Sequence, residues 1–286
     1  MVAAGAVSNI IHDALFIYGL GWGIEGAAWA TLIAQSVSTG MVIWYMMRRF
    51  SAVKLRPSDF MPDAGLYLLL AGIGAGPAFN FGTQAIVQVF LNNALRIYGA
   101  GSVYGSDVCL AVAGVANKVN TLANALIVGM TNGLQPIASF NFGRGNYERV
   151  AEAAKKVVTV VLITGLAVFI CYQLFPVQIT GLFGDGNEDY YEFAERFFRI
   201  FFLLIPLYGL QTSVAGFFSA QGKVSKAIAI SLVRQVIFFP LMLILLPEIM
   251  GLDGVLWAGP VADLAMAVTA GLLFVREIRK LEEKSL

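Results

Sequence analysis

Eight stretches of about twenty mainly apolar residues follow one another through the 286-residue chain, and a run of that length is what a helix needs to cross a bilayer. They cover roughly 2–18, 26–47, 64–97, 108–133, 152–174, 194–219, 227–247 and 255–275. The connections are short except for 48–63, which carries Arg48, Arg49, Lys54, Arg56, Pro57 and Pro62 and reads as a surface linker between two bundles. Charged residues make up 13% of the chain, against about 25% in soluble domains. The pattern argues against a soluble core. It predicts an all-α membrane protein, a polytopic helical bundle of about eight transmembrane helices embedded in the lipid bilayer.

Basic residues alternate with the connections. Segments 48–63, 139–156, 220–226 and 276–286 hold fourteen of the 19 Lys and Arg residues. The intervening connections near 19–25, 98–107, 175–193 and 248–254 hold none and carry Glu25, Asp107, Asp185, Glu188 and Asp253 among their acids. Basic loops stay on the cytoplasmic side, so this alternation supports the span count and predicts a cytoplasmic C-terminus. The net charge of +1 gives no reason to expect nucleic acid. Cys109 and Cys171 both fall in apolar runs and read as small membrane residues rather than a disulfide or metal site.

One short motif occurs twice. Gly23-Ile24-Glu25-Gly26-Ala27-Ala28-Trp29-Ala30 returns as Gly251-Leu252-Asp253-Gly254-Val255-Leu256-Trp257-Ala258, and at the same offset Arg48 falls on Arg276. Many transporters are built from two related halves. Spans one and two then correspond to spans seven and eight in the same orientation, and the second half, from about 64, contains six spans. Equivalent halves predict about four further helices before Met1; a complete eight-helix protein is the alternative. Within 64–97, Gly72, Gly74, Gly76 and Pro77 predict either a bend or close helix packing.

Polar residues inside a membrane are costly and mark function. Arg96, Arg196 and Arg199 lie at or near span ends, within reach of the interface. Lys118 and Arg234 lie deep. Counting from the turn near Gly251, Arg234 and Asp263 differ in depth by about 7–8 Å, a gap that an Arg side chain covers largely. They are candidates for a structural ion pair or for a substrate or coupling site. Lys118 shares its span with Asn117, Asn120 and Asn124 and could face a cavity or cap a polar network.

Asn9 and Asp13 are four apart and share a helix face. Asp13 and Thr31 lie nine residues either side of the turn at Trp22, hence at one depth. Together the three offer a carboxylate, an amide oxygen and a hydroxyl, which are ligands for Na⁺ or partners of a protonated carboxyl. The alternative is an Asp held by local hydrogen bonds near a helix end. His12 points about 100° away and reads as a packing residue. No phosphate loop is present: Phe142-Gly143-Arg144-Gly145 lacks the spacing and the Lys-Ser/Thr pair. No nucleophile has a plausible base. The chain therefore reads as no enzyme, and ion-coupled transport remains.

The run Gly133-Leu134-Gln135-Pro136-Ile137-Ala138-Ser139-Phe140-Asn141-Phe142-Gly143-Arg144-Gly145-Asn146-Tyr147-Glu148-Arg149-Val150 resembles a signature of the MATE (multidrug and toxin extrusion) family, with Phe142 where Tyr is commoner. Asn146 is placed to cap the following helix. The segment from Asn9 and Asp13 through the Gly23–Ala30 turn to Thr31 looks like the fifth and sixth helices of such proteins. The likeness covers essentially the whole chain, and the subgroup resembled is the bacterial MepA-like efflux proteins.

The resemblance implies a twelve-helix fold in two lobes. Residues 1–47 would be the last two helices of the N-lobe, 48–63 a cytoplasmic inter-lobe linker, and 64–286 a six-helix C-lobe with a cytoplasmic tail. It implies export of cationic, amphipathic drugs from a bacterial plasma membrane by alternating access, driven by H⁺ or Na⁺, with no other cofactor. It also implies a need for the missing N-lobe helices. Asn9, Asp13 and Thr31 match an N-lobe cation site of several members, which also uses an Asp from the first helix that this chain does not contain. Where some relatives carry a carboxylate on the seventh helix this chain has Gln84, so a C-lobe Na⁺ site of that kind is not expected. A lipid-linked saccharide flippase of the same superfamily, or a fragment that transports nothing, are the alternatives.

Overall fold

The computed structural model describes residues 2–49, 63–184 and 186–285; for Val2, Leu69, residues 71–81 and Ser285 it describes the backbone and not the side chain. The linker expected at 48–63 lies almost wholly outside the described residues. The chain divides into two compact units, Met1–Leu69 and Leu70–Leu286.

The first unit is an antiparallel hairpin. Helix α1 (Val2–Asp13) passes into a π-helical turn, Ala14–Gly19, and packs on α2 (Gly23–Arg48). Small residues allow that contact. Gly5 lies against Ser38 and the carbonyl of Ala34, and Gly26 lies against Phe16. Large apolar side chains point outward: Ile10, Tyr18, Ile24, Trp29 and Met47 are all exposed.

Helix α3 (Ala64–Ala100) starts within the first unit, after Asp63, whose Oδ1 accepts from Gly65 N at 2.8 Å, and from Leu70 on it belongs to the second. The stretch expected to bend, residues 72–77, is helical, and its packing lies outside the described residues. Then come α4 (Gly105–Gly143), α5 (Tyr147–Leu174), the short α6 (Pro176–Gly181), α7 (Glu188–Phe201) and α8 (Ile205–Ala220). The last membrane pair is α9 (Val224–Leu232), a π-helical turn (Val233–Phe238), α10 (Phe239–Met250) and α11 (Leu252–Ser285).

The fold is all-α and polytopic. Among the described residues, five segments are long and apolar enough to cross a membrane: α2, α4, α5, Val224–Met250 and α11. The pair α7 and α8 makes a sixth if it is counted as one span. Exposed rows such as Leu122 and Leu126 on α4, Ile163 and Leu166 on α5, and Leu264, Val268 and Leu272 on α11 suit lipid rather than water.

Three boundaries differ from the sequence reading. The span expected at 194–219 is two helices meeting at 47°. Asn187 caps α7, accepting from Tyr190 N, and Glu188 and Asp189 occupy its first turn, where anions are favoured. Phe193, Phe197 and Phe198 of α7 are buried while its charges face out, so an apolar-run count starts too late. Pro206 sits in the first turn of α8 and disfavours helical continuation at the residue before it. Helix α4 continues through Pro136 to Gly143, ten residues beyond the expected end. Helix α11 runs unbroken into the tail, where Ile278 and Leu281 bury against Leu134, Val150, Ala154 and Phe217.

The repeated motif has the same local physics at both places. Gly23 and Gly251 take positive φ, 55° and 61°, which reverses the chain at a cost that only glycine avoids. Gly26 and Gly254 are the close-approach residues: a side chain at Gly254 would overlap the backbone of Leu246, and one at Gly26 would crowd Phe16 and Trp22.

Candidate functional site

A cavity of about 440 Å³ opens among the helices of the second unit. Its walls come from α3 (Gln84, Gln88, Leu91), α4 (Asn117, Asn120, Thr121, Asn124), the α7–α8 break (Phe201, Phe202, Ile205, Tyr208), the second π turn (Arg234, Gln235) and α10–α11 (Phe239, Gly259, Asp263). The break in α7–α8 is what brings Phe201 and Phe202 to the cavity. Gly259 makes room for it: a Cβ there would stand 3.2 Å from the Phe201 ring.

The charged members of the lining are Arg234 and Asp263. Nε of Arg234 donates to Oδ1 of Asp263 at 2.6 Å, and Asp263 is 7% exposed. The guanidinium also lies 4.9 Å from the Tyr208 ring centre and 5.7 Å from that of Phe239, a cation–π arrangement. The depth gap expected from residue counting is closed by the backbone as well as the side chain. Pro240 has no N–H to give to the turn before it and its ring crowds that turn. The helix widens there, and Phe239 N bonds to Arg234 O, five residues back. A π turn places an extra residue in one turn and so shortens the axial path from Arg234 to the loop.

The amides follow from spacing. Asn117, Asn120, Thr121 and Asn124 lie at helical intervals on α4, and Gln84 and Gln88 do the same on α3. Some are internally satisfied: Gln88 Nε2 donates to Asn92 Oδ1 at 3.0 Å, and Thr121 Oγ1 donates to Asn117 O at 2.8 Å. Three buried amide oxygens of the wall have no hydrogen-bond partner among the described residues: Asn120 Oδ1, Asn124 Oδ1 and Gln235 Oε1. Gln84, a candidate from the sequence, is in the wall. Lys118 is not in the wall. It is one residue on from Asn117, roughly 100° around the helix, and is exposed. Tyr208, Gln88 and Gln235 escaped the sequence reading. The i, i+4 spacing of the two Gln residues and the adjacency of Gln235 to Arg234 were the signals available.

The hairpin candidates Asn9, Asp13 and Thr31 lie in the first unit, where Gly5 and Gly26 let α1 and α2 approach closely. Asp13 is half-buried, at the junction of the α-helix with its π turn. Nδ2 of Asn9 is buried without a partner among the described residues. Thr31 is exposed, and its hydroxyl donates to Ala27 O at 2.9 Å rather than to Asp13. His12 turns back on its own helix, with Nδ1 2.7 Å from Ser8 O and its ring 5.6 Å from Phe16.

At the end of α4, Asn146 caps α5 by accepting from Arg149 N, and Gly145 reverses the chain with φ of 75°. This is the turn within the Gly133–Val150 signature, and the family model described as MatE matches residues 81–244, more than half of the chain. The chain belongs to the MatE family. It is 24% identical over 265 residues to the multidrug export protein MepA of Staphylococcus aureus (strain MSSA476), covering 93% of this chain and 56% of that protein. It is 24% identical over 271 residues to the protein of the same name from Staphylococcus saprophyticus, covering 94% and 58%. The chain thus spans about half the length of the curated relatives it matches.

Solved structures share the fold. A MOP superfamily transporter from Pyrococcus furiosus, described as having a binding pocket of reverse polarity, superposes with a TM-score of 0.83 at 23% identity. That match covers 98% of this chain and 62% of the other. An outward-facing multidrug resistance MATE family transporter gives 0.84 at 22% identity, over 98% and 62%. An inward-facing one gives 0.77 at 22%, over 99% and 64%.

Proposed function

We propose that this chain is the last two N-lobe helices and the six-helix C-lobe of a twelve-helix MATE transporter in a bacterial plasma membrane. Residues 1–47, 48–63 and 64–286 are the N-lobe helices, the linker and the C-lobe, and the C-terminus is cytoplasmic. Four further helices complete the N-lobe. The protein exports cationic, amphipathic drugs in exchange for H⁺ or Na⁺. The observation that carries this reading is the MatE match across 81–244, a span that contains most of the cavity wall. The name multidrug export protein, borne by the MepA relatives, supports the substrate class.

Coupling is assigned to Asp13, with Asn9 and Thr31 as auxiliary ligands. Support comes from a half-buried carboxylate and an unpartnered amide one turn apart, beside a π-helical turn. Cation binding at Asp13 favours the outward-facing state, and drug and cation exchange by differential affinity for the two states. The test is ethidium efflux from proteoliposomes holding the transporter that contains this chain, under imposed H⁺ or Na⁺ gradients. Gradient-driven efflux is expected from wild type and not from Asp13→Asn. Wild-type efflux from that variant would reject the site, and no efflux from wild type under either gradient would reject the antiport.

A further inference from the structure

We infer that the cavity of the second unit takes an uncharged ligand group rich in hydrogen-bond donors, a polyol or a primary amide, and that Arg234 sets this preference by occupying Asp263. The inference goes beyond the proposed export of cationic drugs: it reads the cavity as a ligand site separate from the one that takes the cation, and gives the chemical class of what it holds.

Three observations carry it. First, the lining is self-neutralised. Its carboxylate, Asp263, is bonded to Arg234 at 2.6 Å, so a cationic ligand meets no free negative charge there. The guanidinium already has what a lipophilic cation would seek, a carboxylate and two aromatic faces, Tyr208 and Phe239. Arg234 thus stands in place of a cationic ligand. Second, the remaining polar wall is amide. Gln235, 7% exposed, has an oxygen without a partner among the described residues, and so do Asn120 and Asn124. Buried acceptors without donors are costly. Third, a quaternary ammonium has no N–H or O–H to offer them. A hydroxyl or primary amide both donates and accepts, so it satisfies these side chains with either orientation of their terminal groups. Phe201 and Phe202, whose rings stand at 87° to each other, add apolar surface on which the carbon skeleton of such a ligand can pack.

Two probes sharing a phenyl ring test the idea on the purified transporter that contains this chain, in a sugar-free detergent: phenyl β-glucoside, uncharged with several hydroxyls, and phenyltrimethylammonium, a cation with no donor. Binding is read by equilibrium dialysis of the labelled compounds. Wild type is expected to bind the glucoside and to bind the ammonium at least tenfold more weakly. Arg234→Met exposes Asp263 and is expected to tighten ammonium binding at least tenfold. The double variant Arg234→Met/Asp263→Asn, which leaves no buried charge, should lose that gain and keep glucoside binding. Gln235→Leu should weaken the glucoside severalfold and leave the ammonium unchanged. If wild type binds the ammonium as tightly as Arg234→Met does, the charge assignment falls and the ligand site stands. If neither probe binds folded wild type or the double variant, the cavity holds water only, and both the inference and the ligand-site reading fall.

Discussion

Gly254 lies against the main chain of Leu246, so close that a single methyl group at its Cα would overlap the Leu246 carbonyl. Backbone cannot yield as a flexible side chain can. Gly254→Ala is therefore expected to destabilise the closing hairpin by about 1–3 kcal/mol, read as a lowered thermal midpoint in detergent. Its repeat counterpart, Gly26→Ala, meets Phe16 Cβ at 3.0 Å and should cost less. Equal stability of Gly254→Ala and wild type would contradict the packing.

The Arg234–Asp263 pair is buried, and breaking such a pair costs far more than replacing it whole. Arg234→Ala alone leaves an unpaired carboxylate and is expected to lose about 3–5 kcal/mol. Arg234→Met/Asp263→Leu, which removes both charges at similar volume, should lie close to wild type. Thermal unfolding of the three proteins decides, and a double variant less stable than the single one would show that the pair itself holds the helices.

The proposed coupling makes Asn9 and Thr31 auxiliary to Asp13. Asn9→Ala and Thr31→Ala should each lower the apparent affinity for the driving cation severalfold while preserving some efflux at a high gradient. Asp13→Asn should abolish coupled efflux with membrane insertion intact. Titrating efflux against the gradient separates these outcomes, and unchanged affinity in both alanine variants would leave Asp13 acting without them.

Tyr104, in the connection before α4, donates to Glu192 Oε1 at 2.8 Å. Burial, and then the bond to that carboxylate, hold its phenol pKa above the ordinary 10.0. The raised value means that this stabilisation is complete below about pH 10 and is lost as pH rises through the folded-state pKa. The stabilities of wild type and Tyr104→Phe, read from thermal unfolding, should therefore differ by about 1 kcal/mol near neutrality. They should converge or cross in strong alkali, and parallel curves would exclude the linkage.

The helical tail is part of the core. Leu281 is 2% exposed, and Glu277, 5% exposed, is bridged to Lys223 and lies 3.6 Å from Lys226. Leu281→Ala is expected to cost about 2–4 kcal/mol. If the thermal midpoint does not move, the tail is not packed as described.

The sequence by itself determined the elements that obey a one-dimensional rule. Bilayer thickness sets run length, so most spans could be read directly. The cap at Asn146 and the turns at Gly23–Gly26 and Gly251–Gly254 were legible because their geometry is local. Even the Arg234–Asp263 contact was within reach, because a hairpin converts residue counts into depth. Other features needed the third dimension. The 47° break in α7–α8 is hidden in composition, since buried Phe193, Phe197 and Phe198 are apolar whether they face lipid or core. Lys118 and Asn117 are neighbours in sequence, yet only packing around α4 turned the amide into the cavity and left the ammonium outside. The meeting of Gln235, Tyr208 and Phe201 with Asp263 comes from four separate helices. No spacing rule links them, because which faces converge is fixed by glycine-permitted close approach and by the widened turn ahead of Pro240 rather than by any segment's own pattern.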